Sequence, residues 1–145
     1  MKRFVLTIAA LLVLGTFASA AEWLTDYTQA LHQAREQKKA VLIDFTGSDW
    51  CTWCMRLDRE VFATAEFKSY AATNLVLLRV DFPRRNPLPA AQTAHNEKLA
   101  AQFGVNSFPT VVVLSPNGSK AGKLGYQAGG PRRFINSVEK LTGAK

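Results

Sequence analysis

The fold is decided by the stretch AVLIDFTGSDWCTWC, residues 40–54, which joins an apolar run to the only two cysteines of this 145-residue chain. The apolar run is short, which is typical of a strand buried on both faces of a sheet with parallel character. A C-x-x-C between a strand and a helix places one thiol at the helix N-terminus, where the backbone dipole and free N–H groups favour a thiolate. The second thiol lies within bonding reach one turn later. This spacing suits dithiol–disulfide exchange better than structural cross-linking.

The N-terminus predicts export. A basic pair and an apolar stretch over residues 4–14 precede an A-x-A cleavage site at residues 18–20. We therefore expect a signal peptide over residues 1–20 and a single globular domain over residues 21–145, periplasmic or secreted. An uncleaved membrane anchor is the less favoured alternative, because a bilayer span needs about 20 apolar residues.

The charge balance excludes one class of partner. The formal net charge of +7 falls to +5 when Lys2 and Arg3 leave with the signal peptide, and the densest remaining basic pairs are Arg84-Arg85 and Arg132-Arg133. A nucleic-acid-binding protein needs a basic stripe with interleaved aromatic residues or a recognisable module, so we expect no nucleic acid partner. Outside the cytosol a disulfide can persist, and without a third cysteine any further exchange must be intermolecular.

The rest of the chain alternates between helical and strand patterns. Hydrophobic periodicity predicts helices over residues 22–39, 51–62, 65–72, 91–103 and 132–141, and strands over residues 40–45, 75–81, 110–114 and 120–126. Three prolines fall at residues 83–89 and disfavour regular structure there. This order indicates a mixed α/β domain.

These motifs resemble the thioredoxin-like superfamily. The C-x-x-C after a buried strand is joined by GVNSFPT, residues 104–110, where an apolar residue and a proline precede a β-branched strand, and by the turn residues Asn117-Gly118. The longer run over residues 46–62 is similar to exported bacterial members of the superfamily. The resemblance implies a three-layer α/β fold in which helices flank a central mixed β-sheet.

The resemblance also implies roles for three site residues. Cys51 would be the exposed nucleophile and Cys54 the buried resolving thiol. Pro109 matches the superfamily's cis-proline, which would bring the backbone of Phe108 beside the sulfurs, where an extended substrate segment could pair with it. An ordinary trans proline that merely begins a strand is the alternative.

Three further residues have two interpretations each. Asp44 matches a buried acid behind the resolving cysteine, where a raised pKa would let it accept or return the proton of Cys54. The alternative is a carboxylate that caps the loop after the strand. Trp50 and Trp53 flank the first cysteine, either as an apolar docking surface for substrate or as packing that shields the disulfide.

The sequence departs from the superfamily pattern in three places. The distance from Asp44 to Cys51 is one residue longer than in thioredoxin, so the loop over residues 46–50 is not the standard one. Thr52-Trp53 stands where many thioredoxins have Gly-Pro, which leaves the reduction potential open. The segment from Arg84 to Asn96 is also longer than the corresponding thioredoxin turn. It could shape a partner surface or be a loop without a function.

Our leading hypothesis is an exported, monomeric thiol-disulfide oxidoreductase without cofactor or metal, most simply a reductase. Its partners would be protein thiols and disulfides, together with a membrane or periplasmic redox protein that recycles the dithiol. Two alternatives remain: a copper-handling protein that uses the two thiolates, and a redox-inert binding domain with a structural disulfide. The direction of electron flow, the substrate, and isomerase activity stay open at this stage.

Overall fold

A five-stranded mixed sheet forms the middle layer of the structure, a computed structural model that describes residues 20–143. The strands are β1 Trp23–Leu24, β2 Ala40–Thr46, β3 Leu75–Asp81, β4 Thr110–Leu114 and β5 Lys120–Leu124. Their order in the sheet is β1-β3-β2-β4-β5; β1, β3 and β2 run parallel, and β4 is antiparallel to both of its neighbours. The predicted signal peptide lies outside the described residues except for Ala20.

Helices cover both faces of this sheet. They are α1 Tyr27–Gln37, α2 Thr52–Leu57, α3 Ala65–Asn74, α4 Ala90–Phe103 and α5 Gly130–Thr142, with a π-helical turn over Asp58–Phe62 directly after α2. Among residues 20–143 no helix is both long and apolar enough to cross a membrane. The three-layer arrangement of a mixed sheet between helices, predicted from the resemblance, is confirmed.

The central strand β2 is buried along its whole length, as its apolar sequence predicts. Its side chains alternate between two apolar clusters. Val41, Ile43 and Phe45 pack with residues of α1 and α4, whereas Leu42 packs with residues of α2, α3 and α5. Asp44 has the same parity as Leu42 and therefore projects toward the helical layer that contains the cysteines.

The predicted first helix is wrong at its start. Trp23 and Leu24 form a short parallel strand beside Leu77 and Leu78, and the helix begins only after Asp26, whose carboxylate accepts from Gln29 N at 2.7 Å. Trp23 has helical spacing relative to the residues that follow, but edge strands of two residues have no periodicity that a sequence pattern could detect.

The predicted helix over residues 51–62 is divided. Regular α-helix ends at Leu57, and Ala63 N then bonds back to Asp58 O at 2.8 Å across a wider turn. The predicted apolar face is nevertheless buried, because Leu57, Val61 and Phe62 all enter the core. The other predicted element bounds agree with the structure within two residues.

Candidate active site

The two cysteines form a disulfide across the first turn of α2. Cys51 is the N-cap of this helix, and its Sγ accepts a hydrogen bond from Cys54 N at 3.3 Å. A turn prepares this position, because Cys51 N donates to Gly47 O at 2.9 Å immediately after β2 ends. The strand, the loop and the helix start therefore place both sulfurs where the helix N-terminus stabilises a thiolate.

Cys51 is less accessible than predicted. Its exposed fraction is 7%, against 4% for Cys54, so both residues are buried in the disulfide form. The physical reason is that Cys51 Sγ is turned into the helix start, where it is bonded to Cys54 and receives an N–H. The expected contrast between an exposed and a buried cysteine is thus small in this state.

Asp44 lies behind the disulfide. Its carboxyl group lines a cavity of about 150 Å³ together with Cys54 and Met55 from α2, and Oδ1 has no hydrogen-bond partner among the described residues. Burial raises the pKa of Asp44 to about 7; the nearby Arg79 guanidinium opposes this rise, and the carboxylates of Asp58 and Asp81 add to it. Within residues 20–143 no backbone N–H of the following loop donates to Asp44, so the capping interpretation is not observed.

Arg79 is a member of this cavity that the sequence analysis missed. Its Nε lies 3.6 Å from Asp44 Oδ2, while its Nη2 lies 3.1 Å from Asp58 Oδ1. The guanidinium also stacks over Trp23, 4.3 Å from the ring centroid. Asp58 and Trp23 therefore hold the Arg79 cation near Asp44, although Arg79 makes no close hydrogen bond to the Asp44 carboxylate. The signal in the sequence was a single basic residue within the otherwise apolar residues 75–80.

The two tryptophans have different environments. Trp50 is half-buried: its Nε1 donates to Phe82 O at 2.7 Å, and its ring packs edge-on against Phe108 at 6.1 Å. The Trp50 ring is therefore held by one hydrogen bond and by aromatic packing. Trp53 is 52% exposed, and its ring lies 5.1 Å from that of Tyr126. A contact with substrate stays a prediction for both tryptophans, of which Trp53 is the more exposed.

The segment before β4 reaches the same site. The Phe108–Pro109 peptide bond is cis, as the resemblance implied, and the Phe108 ring stacks on Phe82 with centroids 5.0 Å apart. Because Phe108 also contacts Trp50, this segment lies beside the residue that precedes Cys51. Binding of substrate by Phe108 and Pro109 remains a prediction.

Asp49 joins the active-site loop to the segment that follows β3. Its carboxylate accepts hydrogen bonds from the backbone N–H groups of Arg84, Arg85 and Asn86 at 2.9, 2.7 and 3.2 Å. The hydrogen bond from Arg84 is the largest of the effects that lower the pKa of Asp49. Sequence reasoning did not identify this aspartate, because its partners are 35 to 37 residues away.

Metal ligands do not converge in the described part of the chain. No group of three or more His, Cys, Asp or Glu side chains there is placed to hold a metal ion.

Comparisons with known proteins agree with this geometry. A family model described as thioredoxin-like matches residues 22–116. The chain is 33% identical over 122 residues to the disulfide bond reductase DsbH of Chlamydia pneumoniae, covering 84% of this chain and 73% of that protein. It is also 30% identical over 93 residues to the thioredoxin-related protein DsbJ of the same organism, covering 64% of this chain and 27% of DsbJ.

Solved structures show the same similarity in three dimensions. A structure described as DsbH oxidoreductase superposes with a TM-score of 0.81 at 28% identity, covering 99% of this chain and 96% of the other. The oxidised C-terminal domain of DsbD from Neisseria meningitidis gives a TM-score of 0.57 at 23% identity, covering 83% of this chain and 99% of that domain. This second likeness concerns the fold alone.

Proposed function

Since the chain belongs to the thioredoxin-like family and is a thiol-disulfide oxidoreductase, we propose that it reduces the disulfides of exported proteins. The observation that carries this proposal is the Cys51–Cys54 disulfide at the start of α2, with the Asp44 carboxyl group in the cavity behind Cys54. The direction of reaction is supported by the relative that is named a disulfide bond reductase.

The reaction begins with the reduced protein. The Cys51 thiolate attacks one sulfur of a substrate disulfide, and the other substrate sulfur leaves as a thiolate that takes a proton from water. Cys54 then gives its proton to Asp44 and attacks Cys51 Sγ, which releases the second substrate sulfur. Two electrons pass to the substrate, and the protein is left with the Cys51–Cys54 disulfide.

Asp44 suits the second step because of its environment. A general base is most effective when its pKa lies near the working pH, and the pKa of Asp44 is about 7. Asp44 and Cys54 border the same small cavity, so a proton has a short path between them. The unpartnered Oδ1 leaves one carboxylate oxygen free to accept that proton.

The proposal includes the cellular context. Residues 1–20 would be removed as a signal peptide, and residues 21–145 would form one monomeric domain in the periplasm or outside the cell. Each turnover leaves the protein oxidised, so a membrane or periplasmic dithiol protein must restore it. The N-terminal residue of the mature protein, expected to be Ala21, tests the processing step.

The reduction potential of the Cys51/Cys54 pair tests the direction of electron flow. Equilibration of the pair with a thiol–disulfide buffer series can be followed through the fluorescence of the adjacent Trp50 and Trp53. We expect a value near that of thioredoxin, about −270 mV; a value near about −120 mV would instead identify an oxidant. A pair that does not titrate would favour the redox-inert alternative.

Mixed-disulfide trapping identifies the attacking cysteine, which burial alone does not distinguish. The reduced Cys54→Ser variant should accumulate a covalent complex with a disulfide-containing protein, because the resolving step is lost. The matched Cys51→Ser variant should form little complex. Equal trapping by both variants would contradict the assignment of Cys51 as nucleophile.

A further inference from the structure

One wall of the active site is formed by the segment Phe82–Asn86, which follows β3. It is attached to the active-site loop at two points: the Asp49 carboxylate accepts three backbone N–H groups from residues 84–86, and Trp50 Nε1 donates to Phe82 O. The segment is therefore a fixed part of the site, next to the residue that precedes Cys51.

This wall carries two exposed arginines, Arg84 and Arg85. The Arg84 guanidinium stacks on the Trp50 ring at 3.6 Å from its centroid. The N–H donors of a guanidinium lie in its plane, so stacking on one ring covers one face and leaves the donor edge able to bind a carboxylate in a bidentate manner. Trp50, which directly precedes Cys51, thus orients this cation.

These two arginines differ from the other arginines at the site. Arg56 is paired with Glu60 at 2.6 Å, and Arg79 is paired with Asp58 at 3.1 Å. Arg84 and Arg85 have no carboxylate within ion-pair distance in the part of the chain that the structure describes. The carboxylate oxygens of Asp49 accept from the backbone of the wall, and Arg85 acts on them only at longer range. The carboxylate of Asp81, three residues before Arg84, accepts from Ser48. A pair of positive charges is therefore left available for a binding partner.

From this arrangement we propose that Arg84 and Arg85 select protein substrates in which acidic residues flank the disulfide to be reduced. The inference rests on the proposed function and adds the class of substrate. A protein substrate is favoured as the occupant because Trp50, on which Arg84 stacks, directly precedes Cys51, so a chain bound with its disulfide at Cys51 lies near this cation. Charge complementarity then raises the rate of encounter and fixes the register of the bound segment.

The test uses three peptides with one internal disulfide, identical except that two flanking positions are acidic, neutral amide or lysine. Each peptide oxidises the reduced protein, and stopped-flow tryptophan fluorescence gives the second-order rate constant. Each rate constant is divided by the rate constant for reduction of the same peptide by dithiothreitol, because flanking charges also change the intrinsic reactivity of a disulfide. For the unmodified protein we expect an acidic-to-neutral ratio of about three to ten, which decreases in about 0.5 M salt.

Three double variants make the test specific. Arg84→Gln with Arg85→Gln should bring the ratio to about one, whereas Arg84→Lys with Arg85→Lys keeps the charges and should keep most of the preference. The matched control, Arg35→Gln with Lys38→Gln, removes two charges at the end of α1, beside the other end of β2. This control should retain the ratio of the unmodified protein. Circular dichroism and the urea midpoint confirm that each variant is folded.

The outcomes separate the two proposals. Equal rates with all three peptides would overturn the role of the arginines and leave the reductase proposal intact, whereas failure to reduce any peptide would reject the reductase proposal. A preference that persists in the Gln double variant would also overturn this inference. If the peptide rates are equal and the protein sediments with vesicles containing anionic lipid only when Arg84 and Arg85 are present, the wall binds a membrane surface instead.

Discussion

Replacing the buried acid, Asp44→Asn, should make the oxidised protein more stable at neutral and alkaline pH. Asp44 is 3% exposed, its Oδ1 has no hydrogen-bond partner among residues 20–143, and the Arg79 Nε lies 3.6 Å from its Oδ2. Asparagine has nearly the same shape and no charge. The variant therefore removes the cost of a buried anion while it leaves the packing around the cavity almost unchanged.

The magnitude follows from the pKa of Asp44. In the unfolded chain this group loses its proton near pH 3.8, whereas in the folded protein it does so near pH 7. Between these values the folded state holds a proton that the unfolded state lacks, so the free energy of unfolding decreases as pH rises and levels off above the folded pKa. The pKa difference corresponds to at most about 4 kcal/mol. The variant lacks this decrease.

Urea unfolding of both proteins, with the disulfide intact, measures the effect. The difference in unfolding free energy between the variant and the unmodified protein should be small at about pH 4, increase as the pH rises, and approach its limit at about pH 8. Asp26→Asn is the matched control: it makes the same chemical change at an exposed helix cap, where asparagine caps as well as aspartate. A difference for Asp44→Asn that is zero at about pH 8, or that does not change with pH, would refute the reasoning.

Two further substitutions test the surroundings of the disulfide. Trp53→Ala should lower kcat/KM for a protein disulfide by about fivefold or more, and less for oxidised glutathione, because an exposed aromatic ring beside the sulfurs contacts only a large substrate; equal losses for both substrates would contradict this. Gly47→Ala should destabilise the protein by about 1–3 kcal/mol, since its Cβ would lie 2.6 Å from Trp50 Nε1 and displace the ring from Phe82 O. An unchanged urea midpoint for this variant would show that the ring moves at no cost.

The sequence was sufficient to predict the helices and strands that have a strong hydrophobic period or a clear terminating residue. Strands β3 and β4 were predicted at their observed bounds, and so was the end of α4 at Phe103, where Gly104 follows in the left-handed conformation. The short strand β1 was missed because two residues carry no period, and the π-helical turn because a wider turn keeps the same apolar residues on the buried side. Local patterns report local hydrogen bonds, and these two features depend on tertiary packing.

The same limit applies to the site. Cys51, Cys54, Asp44 and Pro109 lie on recognisable motifs, so their positions could be predicted. Arg79 could not be assigned to the cavity without knowing that β3 pairs with β2 in a register that places it opposite Asp44. The burial of Cys51 also depends on the disulfide geometry, which the spacing of the motif does not specify.

The active-site loop and the segment after β3, where the sequence analysis expects departures from the thioredoxin pattern, are bonded to each other. Each residue of the active-site loop from Ser48 to Trp50 bonds to the segment over residues 81–86: Ser48 to Asp81, Asp49 to the backbone of residues 84–86, and Trp50 to Phe82. The sequence shows two independent departures, because partners that are 32 to 37 residues apart share no local pattern. Their mutual bonds hold the active-site loop beside the disulfide and give residues 81–86 a structural role, whereas residues 90–96 are the first part of α4. A substitution at any residue of the loop should therefore alter the position of Arg84 and Arg85 as well as the cysteines.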